Sequence, residues 1–344
     1  MLIYTMLPLK MLNFNIHNLI SINIIGENEK IHNFLKDEFE YFIVSKLEKV
    51  NIQINFVKKI QLLKNSEKLL DDFYYNSLNK CFFLKKNNKW LSYSVENFTK
   101  NKIIINIEEN FNKWFVLYAI ENSLYVLMGK EKYCMLHAGG IVKNSKTLVV
   151  SGTQGSGKTS EVLNGVAKGS DFLGDEYIFV NENGECLSFP RCINFNKYHG
   201  KHYELAFKIN WKNLSLLKKI KWLLKEFFKS ILLRPNWKPT IRMKLSKIYN
   251  FIKVPKKVKA HVLLVKKNKF DTNKNEQWND LNYCNFLLEN IRFEIINRMK
   301  PYLDSLSTLQ DDFINEIKFH VMNVEKNRKT ILSLFLKSVS KKIN

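Results

Sequence analysis

The stretch that most restricts what this chain can fold into is LVVSGTQGSGKTSEVLNGVAK, residues 148–168. Within it Gly152, Thr153, Gln154, Gly155, Ser156, Gly157, Lys158 and Thr159 match G-x-x-x-x-G-K-[ST]. An apolar run precedes the motif and a helix-forming run follows it, so a strand must feed directly into a glycine loop and the loop into a helix. Glycines let the backbone curl until several amides aim at one oxyanion cluster, at the positive end of the following helix. With ordinary residue frequencies the bare pattern arises by chance in only about one chain in a hundred of this length. All eight residues are therefore expected to bind a nucleotide, with Lys158 reaching the β- and γ-phosphates and the Thr159 hydroxyl binding Mg²⁺ beside them. ATP and Mg²⁺ are the expected cofactors.

The neighbouring elements fit a mixed α/β chain. Apolar residues at helical spacing predict a helix from about Phe111 to Met128. In CMLHAGGIVKNSKTLVVSG two β-rich runs flank Asn144-Ser145, which predicts a hairpin whose second strand enters the glycine loop. TSEVLNGVAK should be a helix stopped near Gly169, and EYIFVNENGECLSF a hairpin turning at Asn183-Gly184. Towards the amino terminus ISINIIG, NIQINFV, CFFLKK, KWLSYSV and KIIINI read as strands, with a helix over EKIHNFLKDEFEYFIVSKL. That makes residues 1–108 a small α/β domain in which no cluster of chemically active residues stands out. Residues 109–344 form the domain that carries the glycine loop.

Further along, WKNLSLLKKIKWLLKEFFKSILL (211–233) is a strongly amphipathic basic helix inserted in that domain. Two readings stand: an apolar face against the core with solvated lysines, or docking on a membrane surface or partner. RPNWKPTIR reads as a loop, VKAHVLLVKK as a buried strand, and the sequence from Leu281 to the end as mostly helical.

Composition narrows the function less. Fifty-five Lys and Arg against 32 Asp and Glu give a net charge of +23, spread through helices and loops alike. A compositional bias and a basic surface for acidic partners, nucleic acid or anionic lipid both account for it. The five cysteines show no metal-ligand spacing, which fits free thiols in a reducing cytoplasm. The apolar start MLIYTMLPLKMLNF is broken by Pro8 and Lys10, and Trp114–Gly129 carries Glu121 and Asn122 at its centre, so neither reads as a signal peptide or a membrane span.

A phosphate loop needs a second, acidic site before it becomes an enzyme. The obvious later apolar strand, HVLLVKK (261–267), ends in lysines rather than in a magnesium-supporting aspartate. The nearest acidic pair is Asp175-Glu176, 17 and 18 residues after Lys158. This arrangement resembles the HPr kinase/phosphorylase family, whose catalytic domain has a P-loop followed at this distance by paired acids. The resemblance also takes in His137, 15 residues before Gly152, the hairpin between them, and Gly169 at the helix end. It covers roughly residues 133–190. The pair is Asp-Glu where the bacterial regulators carry Asp-Asp, Ala138 separates His137 from Gly139, and the regulators' E-x-R-G-type segment is missing from PRCINFNKYHGKHYE.

What the resemblance implies is a divergent kinase domain of HPr kinase/PEP carboxykinase-like type. Asp175 would be the general base and Glu176 would support Mg²⁺, with the two roles open to exchange. His137 would lie near the transferred phosphate or the acceptor; on its own, a histidine at a strand end is more often structural. Arg191, Arg234 and Arg242 are candidates for stabilising developing charge, Arg191 first because it follows Pro190 close to the acidic pair. The expected activity is ATP-dependent phosphorylation of a serine-type hydroxyl on a protein, peptide or metabolite. The alternative is a nucleotide-dependent regulatory module whose basic helix engages membrane or nucleic acid.

Overall fold

The computed structural model describes residues 11–94, 101–153, 155–195, 211–212, 214–231, 241–244, 253–266, 279–289 and 312–343. The chain forms two compact units, one of Met1–Cys134 with Ile291–Thr330 and the other of Met135–Asn290 with Ile331–Asn344, where the sequence reading divided it after residue 108. It is a mixed α/β protein.

The first unit is built on a nine-stranded mixed sheet with the order β3-β1-β2-β4-β9-β8-β7-β6-β5. The strands are β1 (Met11–Ile16), β2 (Ile20–Ile25), β3 (Ile43–Val44), β4 (Ile52–Val57), β5 (Glu67–Leu70), β6 (Phe73–Asn76), β7 (Cys81–Lys86), β8 (Lys89–Ser94) and β9 (Ile103–Glu108). At its centre β2, β4 and β9 run parallel, while β5 to β9 follow one another as an antiparallel meander. The isoleucines of the parallel strands are buried except Ile25 and Ile104, as expected where helices cover the sheet.

Helix α1 (Glu29–Glu38) is capped by the Asn28 side chain, and it is shorter than expected. A 3₁₀ turn (Glu40–Phe42) and β3 replace its second half, where Phe39 and Phe42 are buried rather than set on a helical stripe. Strand β1 went unread, although Leu12, Phe14 and Ile16 alternate into the core. Helix α2 (Lys113–Lys130) lies close to its expected span. Arg328, fully buried in the helix Asp312–Ser338, stacks its guanidinium on the Tyr125 ring of α2 and bonds Glu325 and the Tyr125 carbonyl.

The second unit carries the glycine loop on a five-stranded sheet ordered β13-β11-β12-β19-β20. These strands are β11 (Ala138–Lys143), β12 (Lys146–Gly152), β13 (Asp171–Gly174), β19 (Val262–Lys266) and β20 (Ser340–Ile343). β11 and β12 form the expected hairpin, with Asn144 and Ser145 both at positive φ, the two-residue turn that matches strand twist. β19 lies parallel to β12 on its other side, and β20 parallel to β19. A second sheet is ordered β10-β14-β15-β18, from β10 (Cys134–Leu136), β14 (Ile178–Val180), β15 (Glu185–Leu187) and β18 (Lys257–Lys259). Its β14–β15 hairpin turns at Gly184, at φ +76°.

Three sequence expectations change here. VKAHVLLVKK is not one strand but two, β18 and β19, in different sheets, broken at Ala260-His261. The mostly helical carboxyl end closes with a short strand that was not expected, β20 after the helix Asp312–Ser338. Residues 211–212 are helical, but the basic helix that the structure describes runs from Leu216 to Ile231, and residues 213, 232 and 233 lie outside the described residues. A short strand pair, β16 (Ile193–Phe195) with β17 (Ile241–Met243), completes the unit, and β17 begins at the last two residues of the expected loop RPNWKPTIR.

Candidate functional site

Strand β12 ends at Gly152, where nothing larger than glycine fits: a Cβ there would lie 2.4 Å from the Lys266 carbonyl oxygen and 2.4 Å from Ser156 Oγ. The chain then curls through Gly155 (φ +81°) and Gly157 (φ +94°), left-handed conformations that favour glycine, before α3 (Lys158–Ala167) begins. No side chain caps α3, which leaves amides of its first turn without a side-chain partner, while the Ser156 amide donates to the Thr153 carbonyl at 3.2 Å. Gln154 lies outside the described residues. Lys158 is buried and folds back on the loop, its Nζ donating to the carbonyls of Gly152 (2.5 Å) and Thr153 (3.2 Å). The Thr153 and Ser156 hydroxyls are buried without a hydrogen-bond partner.

The short connection from α3 through Gly169 returns along β13, antiparallel to β11, and delivers Asp175 beside the loop. Thr159 Oγ1 donates to Asp175 Oδ2 at 3.1 Å, so the residue expected on the metal and the residue expected as base are in contact. The other Asp175 oxygen, Oδ1, is buried and unpartnered. Burial, with help from the Glu176 charge, pushes the Asp175 carboxyl up to about 7, against downward pulls from Thr159, Lys158 and Arg242. A buried carboxyl with that proton affinity and one open oxygen can accept a proton near neutral pH.

Glu176 points elsewhere and is differently held. Its carboxylate lies 3.7 Å from Arg191 Nη1 and 3.4 Å from Arg242 Nη1, and Asn194 Nδ2 donates to it at 2.9 Å. Burial alone would raise its pKa, but Arg242 and Arg191, with a smaller pull from His137, outweigh that and leave it lowered. Glu176, expected to support Mg²⁺, shares its carboxylate with two guanidinium groups, which lowers the negative potential it offers a cation.

His137 stands between β10 and β11, its carbonyl accepting from Ser151 Oγ at 3.1 Å and its ring 5.9 Å from the Tyr177 ring. It belongs to the acidic-pair side of the site rather than to the glycine loop. Arg191 is buried, with its guanidinium 5.9 Å from the Tyr177 ring and 6.0 Å from the Phe189 ring. Arg234 lies outside the described residues.

Two further residues escaped the sequence reading. Asn194 could be placed only by the β16–β17 pairing, which also brings Arg242 across from it. Lys266, at the end of β19, holds Glu161 of α3 at 2.9 Å, with its Nζ near Gly157. The signal for it was visible as a lysine where a phosphate-loop enzyme usually carries an acid, and it was read only as a missing aspartate.

Among the described residues no group of three or more His, Cys, Asp or Glu could hold a metal by itself. Thr159 with Asp175 nevertheless suits Mg²⁺, which dehydrates reluctantly and is commonly held by one or two protein oxygens together with substrate phosphates. No helix among the described residues is long and apolar enough to cross a membrane. No protein-family model matches the chain, and no curated protein matches it.

Proposed function

We propose that the chain is a P-loop phosphotransferase that moves the γ-phosphoryl group of ATP to a serine-type hydroxyl of a protein, peptide or small metabolite. The observation that carries this reading is the Thr159–Asp175 hydrogen bond at the mouth of the glycine loop, with Asp175 Oδ1 buried and open. A phosphate cradle alone is equally suited to a switch. A cradle with a carboxyl of raised proton affinity beside it is suited to deprotonating an incoming hydroxyl.

In this reading the loop amides and Lys158 hold the phosphates, Lys158 turning from the Gly152 and Thr153 carbonyls to do so. Asp175 Oδ1 accepts the proton of the acceptor hydroxyl as its oxygen bonds to the γ-phosphorus and the bond to the β-phosphate oxygen breaks, releasing ADP. Thr159, with the Oδ2 edge of Asp175, would hold Mg²⁺, which when bound takes up charge developing on the phosphate oxygens. Arg191 and Arg242, fixed by Glu176, supply positive charge on the acceptor side, and His137 adds to it when protonated. The domain type expected from the sequence, HPr kinase/PEP carboxykinase-like, is supported by the hairpin, glycine loop, helix and acid-bearing strand in that order.

The test is incubation of the purified chain with γ-labelled ATP, Mg²⁺ and an extract of its own cells, beside Lys158→Ala and Asp175→Asn. Label moving to one acceptor with the wild-type chain only supports the reading and identifies the acceptor. Nucleotide binding through Lys158 with no label moved, or transfer retained by Asp175→Asn, refutes it.

A further inference from the structure

The helix Leu216–Ile231 turns an unexpected face to its unit. Trp222 is buried in the cluster formed by Val162, Leu163 and Val166 of α3 with Phe172 and Leu214. Near it, Lys218 Nζ lies 3.5 Å from the Arg242 carbonyl and Lys219 Nζ 5.8 Å from the Trp211 ring. Leu216, Leu217, Ile220, Leu223 and Leu224, spaced so that they form one stripe, are instead between 45% and 80% exposed. The core-facing reading therefore fails for the aliphatic stripe, which faces out: the anchor is Trp222, with Lys218 and Lys219 half-buried and Lys221 exposed.

We propose that this stripe docks on an anionic lipid surface. A contiguous exposed aliphatic patch of this kind marks an interaction site, and the charge around it selects the occupant. The helix carries Lys218, Lys219, Lys221, Lys225 and Lys229 against Glu226 alone, in a chain of net charge +23. A second copy of the chain would bring the same cation-rich helix to the contact and repel it. A nucleic acid would use the lysines but gain nothing from five leucines and isoleucines, since its contacts are to phosphates and to stacking rings. An anionic bilayer takes both, with the stripe at the acyl boundary and the lysines among the headgroups. Trp222 places this docking helix directly on the helix that carries the glycine loop, so the attachment lies one helix away from the phosphate cradle.

The experiment is flotation of the full chain with phosphatidylcholine vesicles, with and without about 30% phosphatidylserine, in the absence of nucleotide, so that its outcome is independent of phosphoryl transfer. The chain should float with the anionic vesicles, and added salt should release it as the lysines are screened. Leu217→Ser with Leu224→Ser, both at exposed positions, should weaken binding about tenfold or more. Lys221→Gln, also at an exposed position, should weaken binding to anionic vesicles alone, which keeps the test open if the leucine variant misfolds. The proposal is overturned by absence of binding to anionic vesicles, or by a leucine variant that folds and floats as the wild type does. It is also overturned by light scattering that shows a vesicle-free dimer abolished by the leucine changes, or by oligonucleotide binding that those changes leave intact and that displaces the vesicles.

Discussion

Replacing Asp175 by asparagine should abolish transfer and, above neutral pH, relieve a cost that the wild-type fold carries. Asp175 titrates at about 7 in the folded protein against an ordinary value of 3.8, chiefly because it is buried. Between those values the native protein binds a proton that the unfolded chain has lost, so the group's favourable contribution is present at low pH and is lost as pH rises towards 7. At about 1.4 kcal/mol per tenfold change in proton activity, going from about pH 5 to about pH 8.5 removes about 3 kcal/mol. Asparagine carries no charge at any pH, so the variant escapes this loss. Its amide still accepts from Thr159, while its NH₂ becomes a buried donor costing about 1–3 kcal/mol at every pH. The difference between variant and wild type should therefore shift in the variant's favour by about 3 kcal/mol over the interval, whatever its offset. Urea unfolding at the two pH values, with equal m values for both proteins, reads that shift directly. A difference that does not change with pH refutes the argument that burial of an ionised Asp175 is costly.

Lys158→Ala should weaken Mg·ATP binding by about tenfold or more in calorimetry, since it removes the cation nearest the loop. Arg242→Ala should destabilise the fold by about 1–3 kcal/mol by leaving the Glu176 carboxylate with less compensation, and Glu176→Gln in the same chain should restore part of it in thermal unfolding. Gly139→Ala should cost about 1–3 kcal/mol in denaturant unfolding, because its Cβ would lie 2.6 Å from Val162 Cγ2 and 3.1 Å from the Gly174 carbonyl. Val162→Ala added to it should recover stability.

The glycine loop, the turn at Asn144-Ser145 and the stop near Gly169 were legible because each depends on residues close in sequence with few conformations open to them. What was not legible depends on distant pairing. Arg242 and Asn194 meet Glu176 only because β16 pairs with β17, and nothing local in RPNWKPTIR announces a strand. β20, SKKI, has no apolar alternation; it exists because β19 offers an edge. The helix at Leu216–Ile231 shows a second limit. Its amphipathic pattern was plain, but the pattern gives two faces and not their assignment, which Trp222 decided by filling the cluster against α3. The acidic pair was found, yet the arginines that hold Glu176 low while burial holds Asp175 high were visible only in space.

From His137 to Glu176 the glycine loop and its acidic pair are written in one uninterrupted stretch, and β11, β12, α3 and β13 contact one another at short sequence separation. Such local contacts cost little chain entropy, so this segment can assemble early as the chain folds. The backing of the loop is different: Leu148 pairs with Val262, and the Lys266 carbonyl presses against Gly152, across more than a hundred residues. On this reasoning the lysine, threonine and aspartate can come together before the curl of the glycine loop is fixed from behind. Competence to hold a nucleotide should appear only with the arrival of β19, which would make the nucleotide itself a reporter of the last step of folding in this unit.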